Sequence, residues 1–285
     1  MEALLAHSFD YLSSYEPSKI RKGLRQVEGL LAQICLSKPK PVSDRRSRSP
    51  DTQPVPKMLS DLRDDPAFRE FSKLQESFQW NIAMRLVSCL EHLLGRGSNG
   101  TNDMLIVCTL DLIQGALLLH CSSRTLFARE IYMNLLLDLL DPINCPAVQS
   151  ATLLTLVTAL LDCPSNTRTF EELDGLLTVT SLFKQRATSR EVKLKLVEFL
   201  YFYLMPETMA LAPMSPPPGL HRSPSKLSPA PFSRSAHSTA NSASKPSRDT
   251  RTTDEKQALL GRYLNNVEDL VEDLKETAPF GATVY

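Results

Sequence analysis

The chain has 285 residues, of which 42% are apolar and 22% charged, and its 32 basic and 32 acidic side chains cancel. Zero net charge removes the electrostatic argument for a nucleic-acid or membrane-surface protein, and no apolar run approaches the ~20 residues of a membrane span. Six scattered cysteines without a C-x-x-C pair, and an N-terminus with an early acid and no signal-peptide core, lead us to expect a soluble, reduced, cytoplasmic protein.

In chain order the elements read as helix almost throughout. Residues 1–37 are expected to form a helical pair. Leu4, Leu5, Phe9 and Leu12 mark a short first helix, and Pro17 suits the first turn of a second, continued by Leu24, Val27, Leu31 and Ile34. Residues 38–57 are Pro-, Ser- and Arg-rich with almost nothing to bury, which predicts a disordered linker. A helical core is expected over 58–206, opening with Phe68, Phe71, Leu74, Phe78, Ile82, Leu86, Leu90 and Leu93 at helical spacing and a break near Gln75–Ser77. Residues 207–251 repeat the linker composition at greater length, and 277–285 form a tail. Between them, 252–276 reads as one amphipathic helix started by the capping-box spacing of Thr252 and Glu255. Its Leu260, Leu264, Val267, Val271 and Leu274 recur at steps of four and three, giving one apolar stripe.

The core repeats itself. A shift of 44 residues carries Met104, Cys108, Leu112 and Ala116 onto Val148, Thr152, Leu156 and Leu160, and a second shift reaches Val192, Leu196, Leu200 and Leu204. "SSRTL" at 122–126 falls on "NTRTF" at 166–170. Armadillo and HEAT units have this period, ~40–47 residues. No such unit closes its own core, so the units must stack. The expected fold is all-α, an armadillo/HEAT-like solenoid with two disordered linkers and a C-terminal helix.

Several strings imitate chemistry without supplying it. "HCSSR" at 120–124 suggests a cysteine-dependent phosphatase, but the residue six places after Cys121 is Phe127, and Arg124 comes too early. No glycine lies between to turn amides inward around an oxyanion. The string is expected to end the helix over 104–119, and Arg124 and Arg168 to bond carbonyls at helix ends. "GRGSNG" at 95–100 matches a dinucleotide fingerprint but follows a helix rather than a strand, so a loop is expected, with Asn102 or Asp103 capping the next helix. The five histidines have no ligand spacing, and the pairs Asp64–Asp65 and Glu171–Glu172 are expected to start helices. No enzyme, metal or cofactor is expected. The basic clusters carry no interleaved aromatics, so no nucleic-acid partner is expected either. Ser49, Ser215, Ser223 and Ser228 each precede proline and are candidate phosphorylation sites in the linkers.

Three stretches, "FSKLQESFQWNIAMRLVSCLEHLL" (71–94), "GALLLHCSSRTLFARE" (115–130) and the run from Leu160 to Glu207, together with "LLGRYLNNVEDLVEDLKETAPFG" (259–281), resemble the fungal cell division control protein 14 family. That family is a septation initiation network component, unrelated to the dual-specificity phosphatase sharing its name. The resemblance implies a non-catalytic subunit that binds a germinal-centre-type Ste20-like kinase, acts at the spindle pole body and promotes septum formation. A helical-repeat adaptor with a different partner is the alternative that the residues leave open. Partner-binding candidates are Asn134, Lys184 and Gln185 on the last helix of each unit, and the stripe Leu260, Leu264, Val267, Val271 and Leu274. That stripe packs either on the chain's own core or on the kinase.

Overall fold

A computed structural model describes residues 1–36, 56–95, 100–207 and 250–277, and every regular element among them is a helix. Helices α1 (Glu2–Leu12) and α2 (Pro17–Cys35) form a hairpin. Pro17 opens α2, where its missing N–H costs nothing and its φ is already helical. The two helices approach closely at Gly23, where a Cβ would lie 3.0 Å from both the Ser8 carbonyl and Tyr11 Cβ. An isolated antiparallel bridge, Leu36–Pro56, then brings the chain back beside α2. Lys57 belongs to the fold rather than to a free linker: its Nζ donates to the Ile34 carbonyl at 2.9 Å and pairs with Asp65.

Asp65 separates α3 (Leu59–Asp64) from α4 (Pro66–Gln75) and caps the latter by accepting the Ala67 N–H at 2.8 Å. The helical pattern breaks at the end of α4, as its spacing predicts. Asn81 then caps α5 (Ile82–Leu94), accepting from the Met84 N–H. The turn between them re-phases the chain, so Phe78 leaves the apolar stripe and is 74% exposed. Asn102 takes the N-cap position of the next helix, one of the two residues expected there, but makes no side-chain capping bond.

The repeat becomes two three-helix units. The first comprises α6 (Asp103–Leu119), the 3₁₀ helix η1 (Cys121–Ala128) and α7 (Glu130–Leu139). The second comprises α8 (Pro146–Leu160), α9 (Pro164–Glu172) and α10 (Gly175–Lys184), after which α11 (Arg190–Leu204) begins again. Helices α2, α6, α8 and α11 pack in a row, each against the next. Mid-row, α8 is buried on most sides. Its buried Thr152 and Thr155 satisfy their hydroxyls on the carbonyls of Val148 and Ala151, one turn back.

The helix expected over 252–276 is in fact two, α12 (Thr253–Leu260) and α13 (Val267–Thr277). Thr252 and Glu255 form the expected capping box. Gly261 ends α12 by donating its N–H to Gln257, and the N–H groups of Tyr263 and Leu264 both return to the Leu260 carbonyl. A straight helix over that span would be ~37 Å long, against ~22 Å for α11, on which both pieces pack. The turn doubles the segment back, so that Leu260, Val267 and Val271 are all buried.

Candidate functional site

The HCSSR segment is a joint between helices. Phe127 is fully buried, and Arg124 points away from Cys121, its Nε donating to the Leu117 carbonyl at 3.3 Å and its Nη1 to Leu161 at 2.8 Å. Both acceptors stand at helix ends, as predicted. Asn166 of α9 answers by donating to the Arg124 carbonyl at 2.7 Å, so successive units lock reciprocally. Elsewhere, burial pushes the Cys89 thiol up to about 12, far from a thiolate nucleophile.

The tertiary structure also assembles a constellation that sequence reasoning missed. His120 Nδ1 lies 2.7 Å from Ser123 Oγ, and its Nε2 lies 3.0 Å from Glu76 Oε1. The order serine, histidine, acid is that of a catalytic triad, but the ring is reversed, since a triad histidine faces the serine through Nε2 and the acid through Nδ1. Ser123 is buried, however, and its Oγ already accepts a hydrogen bond from Asn81 Nδ2 at 2.8 Å. With the hydroxyl covered and bonded to both Asn81 and His120, the network pins the 76–81 turn to η1.

A second missed cluster closes the C-terminal end of the row. Glu171, expected to start a helix, instead stands near the end of α9. Its buried carboxylate pairs with Arg168 at 3.1 Å, pairs with Arg251, and accepts from Tyr203 Oη at 2.7 Å. Glu207 pairs with Arg168, lies 3.2 Å from Lys256 Nζ, and accepts the Arg251 N–H at 2.9 Å. Burial pulls the Lys256 ammonium below its usual range, a shift that Glu207 opposes. Burial also raises the Tyr203 hydroxyl, reinforced by the Glu171 charge. Arg168 thus pairs closely with two carboxylates, where Arg124, its match in the preceding unit, bonds two carbonyls and approaches the Asp162 carboxylate only to 3.7 Å. The carbonyl of Met205, equivalent to that of Leu161, is taken by Lys256 at 3.0 Å. Lys256 of α12 therefore fills at Met205 the donor position that Arg124 fills at Leu161. A cleft of roughly 210 Å³ beside it is lined by Leu161, Cys163, Phe202, Met205 and Lys256. In sequence, Lys256 reads as an ordinary surface residue, and Glu207 and Arg251 read as parts of a linker.

The repeat also builds a groove of roughly 450 Å³ between α7 and α10. Asn134, Leu137, Asp138 and Asp141 line one side, and Leu177, Thr178, Ser181 and Gln185 the other. Two of the candidates, Asn134 and Gln185, therefore share one site. Lys184 turns away, its Nζ donating to the Tyr263 carbonyl, and helps line a separate groove of roughly 470 Å³ with Leu264 and Asp269. Of the apolar stripe, Leu260, Val267 and Val271 are buried within this chain and Leu264 packs at the edge of the core. The Leu274 side chain, Ser49, Ser215, Ser223 and Ser228 lie outside the described residues. No helix among the described residues is long and apolar enough to cross a membrane.

Comparison with known proteins agrees with the resemblance. A family model described as "Cell division control protein 14, SIN component" matches residues 1–280. Cell division control protein 14 of Schizosaccharomyces pombe is 30% identical, in an alignment covering 99% of this chain and 97% of that protein. No solved structure matches. With a match spanning nearly the whole chain, and a helical architecture in place of a phosphatase loop, the chain belongs to the cell division control protein 14 family of SIN components.

Proposed function

We propose that this chain is a non-catalytic subunit that binds a germinal-centre, Ste20-like kinase of the septation initiation network and promotes septum formation at cytokinesis. The observation that carries this reading is the family match over residues 1–280, which places the chain in a cell-division family. The architecture supports it: an armadillo-like stack of helical units is a scaffold on which partners dock, and the repeat leaves an open groove between α7 and α10. In this reading the protein works in the cytoplasm and at the spindle pole body. Phosphorylation at Ser49, Ser215, Ser223 or Ser228 would add negative charge to basic stretches and alter its contacts during mitosis.

The test is affinity purification of the tagged full-length chain from mitotic cells, followed by identification of the co-purifying kinase. Its activity is then measured with and without the recombinant chain. A germinal-centre kinase whose activity rises with added chain is the expected result. Stoichiometric recovery of partners that include no kinase would replace this reading with that of an adaptor of another kind.

A further inference from the structure

The groove between α7 and α10 has a construction that specifies what it binds. Its two walls come from the same register of successive units: Asn134 faces the groove with Thr178, Leu137 with Ser181, and Asp141 with Gln185, each pair 44 residues apart. Leu137, Leu140, Leu173 and Leu182 supply apolar lining between the polar residues, and Leu177 remains 45% exposed.

The polar residues are unevenly distributed. Asp138 and Asp141 both lie on the α7 side, and no lysine or arginine lines the groove. Asp138 stands in the last turn of α7, which contains no basic residue, so its charge adds to the negative end of the helix dipole. It makes no ion pair among the described residues. An uncompensated acid there does nothing for the stability of α7. It creates a negative potential along one wall of a trough that leucines also line.

We infer that this groove receives a basic amphipathic helix from a partner protein, apolar side down, with lysine or arginine over Asp138 and Asp141. The lining runs from Asn134 to Pro142 on one side and from Leu177 to Gln185 on the other, so the trough is ~12 Å long and takes about two turns of a docked helix. The inference rests on the reading of the chain as a protein-binding module, but not on the partner being a kinase.

The test places p-benzoylphenylalanine at Ser181 in the full-length chain expressed in its own cells, with Leu194 of α11, 59% exposed and outside the groove, as the control position. Irradiation at Ser181 should capture a partner segment with apolar residues at helical spacing and several basic residues. Asp138→Lys should cut that capture at least fivefold, and reversing the basic charges of the captured segment should restore it. Capture of an acidic segment, of this chain's own basic stretches at 38–57 or 208–249, or of nothing above the Leu194 control would overturn the proposal. Should Asp138→Lys lower the melting temperature, the segment captured in the otherwise native chain decides the matter alone. A captured basic helix from a protein other than a kinase would sustain the groove assignment and leave the kinase reading to the affinity purification.

Discussion

Replacing Glu171 with glutamine tests whether buried charge holds the C-terminal helices in place. Glutamine keeps the shape and still accepts from Tyr203, so the substitution removes mainly the charge. Arg168, Arg251 and Lys256 would then face Glu207 alone. Breaking a buried ion pair by removing one partner costs ~3–5 kcal/mol. Glu171 is 8% exposed, but Arg168 and Arg251 are 21% and 32% exposed and regain some water, which favours the lower end, ~3 kcal/mol. For a chain of this size that corresponds to a fall of ~6–12 °C in Tm. Urea unfolding of the full chain should show the loss, and hydrogen exchange should place it first in α12, which carries Lys256. Arg251→Gln combined with Glu171→Gln should cost less than the sum of the two, because the pair is then lost together. A loss below ~1 kcal/mol, or strict additivity, would refute the reasoning. It would mean that Leu260, Val267 and Val271 hold the C-terminal pair unaided.

Acid should release the Lys57 clip. The hydrogen bond from Lys57, followed by that from the Ala67 N–H, holds the Asp65 carboxyl below its usual value of 3.8. Its contribution is therefore complete above 3.8 and lost as pH falls from there through the lower folded value, so amide protection around α3 and α4, corrected for the intrinsic pH dependence of exchange, should begin to fall once pH drops below 3.8. Gly175→Ala should cost about 3 kcal/mol, because the new Cβ would lie 2.2 Å from the Phe170 ring and 2.6 Å from its carbonyl oxygen. A thermal melt unchanged within 1 °C would show that α10 shifts freely. Thr252→Ala should cost about 1 kcal/mol by removing the capping box, with α12 fraying before α11 in hydrogen exchange. Equal loss of protection in both helices would argue that they unfold as one unit.

Sequence alone determined what depends on near neighbours in the chain. Helical class follows from apolar spacing, the start of α2 from Pro17, and the start of α12 from Thr252 and Glu255, because each signal acts within one or two turns. The 44-residue repeat was legible too, since stacking imposes the same burial on equivalent positions. It predicted the helix-end bonds of Arg124 and brought Asn134 and Gln185 toward one surface. What it could not reach were contacts that depend on where the chain returns. Glu171 and Lys256 look like surface charges until α11 and α12 bury them together, and Glu76, His120 and Ser123 meet only when the 76–81 turn lies against η1. Arg168 departs from Arg124 for the same reason: the Met205 carbonyl, which matches the one Arg124 bonds, is taken by Lys256 of α12, and Glu207 pairs with the guanidinium instead. The break at Gly261 also belongs to tertiary structure. Leu260, Leu264, Val267 and Val271 suit one long stripe, but α11 is too short to cover it, and burying both halves on the same helix requires the chain to turn.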